Sequence, residues 1–147
     1  MASKGRPYRT FQVDGYRVLV GRGAAENDQL TFKVGAPRDL WLHVGGGTPG
    51  SHVVIKNPDN ATVPRPVIQR AAELTAWFSK ARNAKRVDVH VCRVADVSKP
   101  RGAPAGRVAL RRFDRVHAAP TPPDAAESAE GGEDGDPSEG PPDRREA

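Results

Sequence analysis

The chain has 147 residues and a formal net charge of +5, and that charge divides unevenly: residues 1–119 carry 21 Lys and Arg against 9 Asp and Glu, and residues 120–147 carry 2 against 9. A basic body of this kind favours a polyanionic partner, with nucleic acid ahead of a membrane surface. No apolar run approaches the roughly 20 residues of a bilayer span, the start MASKGRPYRT has no apolar signal-peptide core, and the single Cys92 excludes an internal disulfide framework and weakens a zinc-finger reading, so a cytoplasmic protein that avoids membranes is expected.

Residues 1–7 read as a flexible N-terminus. Tyr8, Thr10, Gln12 and their neighbours then alternate, Asp14-Gly15 follows, and Tyr16 to Val20 alternate again. Asp-Gly between two such runs predicts a hairpin with a type I′ turn, which needs positive φ at both central residues. Gly21-Arg22-Gly23 ends the second strand. Asn27 or Asp28 is placed to cap a short helix over residues 29–34, although LTFKV also alternates as a strand would. Residues 39–44 form a strand with Leu40, Leu42 and Val44 on one face and Trp41 and His43 on the other. Gly45, Gly46, Gly47, Thr48, Pro49 and Gly50 make a turn, residues 51–56 a further strand, and residues 57–63 a loop.

Pro64 and Pro66 suit the first turn of a helix. VIQRAAELTAWFSKARNA, residues 67–84, continues it as one long amphipathic helix, with small Ala71, Ala72 and Ala76 allowing close approach to a sheet. Residues 86–94 alternate, with Val87, Val89 and Val91 on one face and Asp88, His90 and Cys92 on the other. A basic Pro/Gly-rich loop covers residues 99–107, and short strands over 107–112 and 115–117 close the body. The predicted architecture is α+β, a single domain over residues 8–119 in which a mostly antiparallel sheet carries one long packed helix. The tail from residue 120 to 147 lacks Val, Ile, Leu, Phe, Tyr and Trp, so it cannot offset an ordering entropy of roughly 1–2 kcal/mol per residue and is expected to be disordered.

Asp14-Gly15, Val20-Gly21-Arg22, Asn27-Asp28, the stretch DLWLH (39–43) and the stretch PGSHVVI (49–55) together resemble the NFACT RNA-binding domain, NFACT-R. The likeness continues through Ala71-Ala72-Glu73-Leu74, Ser79-Lys80-Ala81-Arg82, Val87-Asp88-Val89 and Lys99-Pro100-Arg101-Gly102, from about Tyr8 to Pro120. That domain is the C-terminal module of fibronectin-binding-protein-like ribosome quality-control factors and also occurs alone in bacteria. The resemblance implies binding to tRNA and to the large ribosomal subunit on stalled complexes. It covers the RNA-binding module only, so the C-terminal tailing supported by the large relatives is not carried over.

His43 and His52 flank the glycine turn and admit three readings: metal ligands together with Asp39, His90 or Cys92, anchors that hydrogen-bond the backbone, or groups that stack on a base or donate to a phosphate. Arg22 between glycines offers a bidentate donor to phosphate or simply ends a strand. Pro49-Gly50-Ser51 either exposes N–H groups to an anion or only reverses the chain. Trp41 is either a base-stacking platform or core. Two basic clusters, Lys80, Arg82, Lys85 and Arg86 and then Lys99, Arg101, Arg107, Arg111 and Arg112, fit phosphate contacts.

The expected RNA-facing surface therefore takes Arg22, Asn27, Asp28, Lys33 and Asp39 from the first third of the chain. Trp41, His43, Pro49, Gly50, Ser51 and His52 join from around the glycine turn, and Lys80, Arg82, Lys99 and Arg101 from the basic clusters. No catalytic residue and no cofactor is expected. Two rivals stand beside RNA binding: a small metal-dependent hydrolase built on His43, His52 and Asp39, and an adaptor that binds a partner protein through the acidic tail.

Overall fold

The structure is a computed structural model and describes residues 6–128. Eight strands run in chain order: β1 (Tyr8–Val13), β2 (Tyr16–Gly21), β3 (Leu40–Val44), β4 (Val53–Ile55), β5 (Val87–Arg93), β6 (Val97–Ser98), β7 (Ala109–Leu110) and β8 (Asp114–Ala118). Six of them form one fully antiparallel sheet in the order β1-β2-β4-β3-β5-β8, while β6 and β7 make a separate two-stranded ribbon. The α+β architecture is the one expected. Among the described residues no helix is long and apolar enough to cross a membrane.

The first hairpin forms for the reason its sequence announces. Asp14 and Gly15 have φ of 48° and 86°, and Val13 pairs with Tyr16 across the two-residue loop. The first helix differs from expectation. Helix α1 spans Ala24–Gln29 and runs directly into a π-helical turn at Leu30–Val34, with Gly23 at its N-cap position. Asn27 therefore lies inside α1 rather than capping it, because its amide is engaged by a chain segment 23 to 25 residues away.

Helix α2 (Arg65–Trp77) starts at the two prolines but stops well short of residue 84. Ser79 donates its hydroxyl to the Ala76 carbonyl and accepts the Ala81 amide, a local arrangement that competes with helical bonding. The backbone beyond the helix is drawn off to pair with the glycine turn: Ser51 N–H donates to Phe78 O, Lys80 N–H to Pro49 O, and Gly50 faces Ser79 as a bridge. A Cβ on Gly50 would stand 2.8 Å from the Ser79 Cβ, so only glycine permits this approach.

The sheet is covered on both faces. On one, Val18, Val20, Leu42, Val44, Val53, Ile55 and Val89 pack against Val67, Ala71, Ala72 and Leu74 of α2. On the other, Leu19, Trp41, Val54 and Cys92 lie under Leu30 of the π-helical turn and under Val97 of the ribbon. The second cover is partial, and the uncovered end of that face becomes the groove described next. Described residues past 119 return to the body. Ser128 bridges Phe11 on the edge of β1, Gln12 N–H donates to Glu127 O, and the Arg70 guanidinium grips both Glu127 carboxylate oxygens at 2.6 and 2.7 Å. The remainder of the acidic tail, residues 129–147, lies outside the described residues.

Candidate nucleic-acid interface

Asn27 organises the glycine turn. Its Oδ1 accepts the His52 N–H at 3.0 Å and its Nδ2 donates to Gly50 O at 3.3 Å, so one buried amide satisfies two backbone groups of an irregular segment. A Cβ on Gly21 would collide with the Asn27 amide, which accounts for glycine there. Ser51 Oγ donates to Gly21 O at 2.8 Å, and Gly21 N–H donates to His52 O at 2.9 Å. The Val-Gly-Arg, Asn-Asp and Pro-Gly-Ser-His stretches, distant in sequence, are thus one clasp that holds the end of β2 to the start of β4.

Beneath the clasp runs a chain of side-chain hydrogen bonds. Trp41 Nε1–H donates to Thr31 Oγ1 at 3.0 Å, and Thr31 Oγ1 lies 2.8 Å from His52 Nδ1. His52 Nε2 is 3.2 Å from the Gly106 carbonyl, which only accepts, so Nε2 carries the proton and Nδ1 accepts the Thr31 hydroxyl. Burial, followed by the neighbouring His43, holds the His52 pKa down to about 4, which keeps the ring in the neutral form this chain requires. Both ring nitrogens of His52 are thereby occupied. Asp28 supports the same loop from the other side: it accepts the Gly106 N–H at 3.1 Å and pairs with the Lys99 ammonium at 2.9 Å.

The clasp, the segment after α2 and the basic loop surround an open groove of about 1270 Å³. Arg9, Arg22, Lys80, Arg82 and Arg107 stand along it, and no Asp or Glu is among the described residues that line it. Arg82 lies over the Trp77 ring at 4.7 Å and Arg9 over Phe78 at 5.6 Å, so aromatic faces orient two of these guanidinium groups. Positive charge lining a concave surface focuses field and concentrates anions. The floor is aromatic: His43 is half-buried between Gly50 and His90, stacked on Trp41 at 5.9 Å and edge-on to His52 at 5.4 Å. Burial lowers the His43 pKa, and burial together with Arg115 lowers that of His90, so both rings are neutral at pH 7.

Of the residues expected to face RNA, Arg22, His43, Pro49, Gly50, Ser51, Lys80 and Arg82 line this groove. Others border it but are closed in. Trp41 is 1% exposed and is core, so its ring has no face for a base, and His52 and Asn27 are likewise buried. Asp39 is elsewhere altogether. It sits just before β3, about 13 Å along the chain from His43 at a strand rise of ~3.3 Å per residue, fully buried, ion-paired with Lys56 and accepting the Ala36 and Asn57 amides. A hydrolase site joining Asp39 to His43 and His52 is therefore ruled out by position, and among the described residues no three His, Cys, Asp or Glu converge as metal ligands. The Cys92 thiol, pushed up to about 12 by burial and by Asp96, is not a thiolate at neutral pH. Lys33 and Arg101 are exposed but outside the groove lining, and Lys99 spends its ammonium on Asp28 and on the Pro104 and Arg107 carbonyls.

Arg9, Thr31, His90 and Phe113 belong to the site and were not among the residues expected there. His90 carried a signal in its strand alternation, but its role depends on its pairing with His43 across β3 and β5, which no local pattern discloses.

Residues 6–112 match the NFACT protein RNA binding domain, overlapping nearly all of the stretch that carries the resemblance. The chain is 39% identical over 117 residues to the Rqc2 homolog RqcH of Streptococcus suis strain 05ZYH33 and 40% identical over 113 residues to that of Bacillus subtilis strain 168. These alignments take in 79% and 76% of this chain but only 21% and 18% of the relatives, so the chain spans about a fifth of their length. The solved C-terminal part of the fibronectin/fibrinogen-binding protein from Streptococcus suis superposes with a TM-score of 0.72 at 39% identity, over 79% of this chain and 46% of that one.

Proposed function

The chain belongs to the NFACT RNA-binding domain family, and on that premise we propose that it is a non-enzymatic module that holds structured RNA, tRNA or ribosomal RNA of the large subunit, in the groove beside the glycine turn. The observation that carries the reading is the row of five cations along that groove with no carboxylate among its described lining. Arg22, Lys80, Arg82 and Arg107 hold phosphates, and the clasp keeps them in register. Contacts of this kind set affinity and position and carry little sequence information. The work such a module does is in translation, on ribosomes in need of quality control, in keeping with the relatives that share it.

Filter binding with unfractionated tRNA and with large ribosomal subunits at several salt concentrations tests this. Each neutralised phosphate contributes a slope of about −0.7 to −0.9 in log affinity against log salt, so three or more contacts give a slope steeper than about −2. Arg22→Gln with Arg82→Gln lowers the slope by about one per side chain. Salt-independent binding, or none, overturns the reading.

A further inference from the structure

Two large apolar side chains are exposed among the described residues, Phe32 and Phe113. Phe32 stands outside the groove, while Phe113 lines it. The Phe113 ring stacks on His90 with 4.0 Å between centroids and 23° between planes, and the Arg115 guanidinium lies 5.5 Å from its centroid. His90 and Arg115 are direct cross-strand partners of β5 and β8, so both project from the same face of the sheet. Phe113 rests across this pair, is 38% exposed and lines the groove. One strand further in, His43 pairs with His90.

We propose that Phe113, backed by His90, is a stacking site for an unpaired nucleobase, filling the role for which buried Trp41 is unsuited. The inference rests on the RNA-binding reading of the same groove. A polyanion whose phosphates meet Arg22, Lys80, Arg82 and Arg107 presents its bases toward the floor between them, and the exposed aromatic ring there is Phe113. Stacking is tolerant of base identity because every base has a π-face, and structured RNAs offer such bases in loops, bulges and ends. The lowered pKa of His90 fits this role, since a neutral imidazole supports Phe113 without adding another cation. An aromatic side chain of a protein partner is the competing occupant. The cation-lined walls, with no carboxylate among the described lining residues, favour a ligand of uniform negative charge.

The test uses the full chain with three probes: unfractionated tRNA, a 12-nucleotide oligo(A) carrying a central 2-aminopurine, and the same ribose-phosphate backbone made abasic. Expected results are quenching of 2-aminopurine on binding, roughly tenfold weaker binding of the base-bearing oligonucleotide by Phe113→Ala, near-normal binding by Phe113→Trp, and an unchanged salt slope. The abasic backbone binds wild type and Phe113→Ala alike. If wild type binds tRNA and the oligonucleotide with a steep salt slope, yet Phe113→Ala matches it in affinity and quenching, the stacking site is overturned and RNA binding stands. If wild type binds none of the three, both proposals fall. Phe113 is exposed, so the variants fold, as circular dichroism checks.

Discussion

The two faces of the central sheet are built on different principles. The face under α2 is apolar throughout: Val18, Val20, Leu42, Val44, Val53, Ile55 and Val89 meet Val67, Ala71, Ala72 and Leu74, and the fit tolerates any side chains of similar shape. The opposite face, at its open end, is polar and aromatic. Asn27, Thr31, Trp41 and His52 hydrogen-bond in a fixed order, and each donor and acceptor has a partner from a different segment. The first face supplies stability and the second shape. Non-directional burial can be distributed among many residues, whereas a groove wall of irregular backbone must have its N–H and C=O groups satisfied one by one.

That contrast can be broken by experiment. The largest effect belongs to Leu42→Ala on the α2 face, which costs about 2–5 kcal/mol in urea unfolding while leaving the tRNA affinity of the folded fraction unchanged. A parallel loss of affinity would show that the two faces are not separable. The next effect is a pH dependence centred on the groove face. His52 has a folded pKa of about 4 against an ordinary 6.5, so the unfolded chain binds the extra proton between those values. Stability from this group is complete above pH 6.5 and falls as pH drops, by about 3 kcal/mol at pH 4 and below. Urea titrations from pH 7 to 4 read this slope, and His52→Asn reduces it, leaving the contributions of His43, His90 and Glu127. A slope identical in the variant would remove His52 as its cause.

Smaller in stability but sharper in function is Asn27→Ala. It leaves the His52 N–H and the Gly50 carbonyl without their partner, at about 1–3 kcal/mol, and it loosens the wall that carries Pro49 and Gly50. Affinity for tRNA falls more than it does for Leu42→Ala at matched stability. Equal affinities would place the clasp outside RNA recognition.

Much of the fold was legible in the chain. Asp14-Gly15 between alternating runs specified its hairpin, and the valines of residues 86–94 specified a strand with the correct inward face, because both signals are local and period-two. The end of α2 was not legible. Residues 78–84 carry helix-compatible side chains, and the helix yields because the Pro49–Ser51 backbone claims Phe78 and Lys80 from far along the chain. Asn27 misled for the same reason: Asn before a helical stretch is a good cap, yet here its amide has long-range backbone partners.

By itself the sequence determined the class of fold, the basic character of the body and the family, since charge, alternation and spaced motifs are properties of the chain read in order. Only the tertiary structure decided which of those motif residues face outward. Trp41, Asn27 and His52 became the buried supports of the groove and Asp39 was buried away from it, while Arg9, His90 and Phe113 became the groove's surface. The physical reason is that exposure depends on strand register and on hydrogen bonds between segments up to 78 residues apart, and neither leaves a trace in local composition.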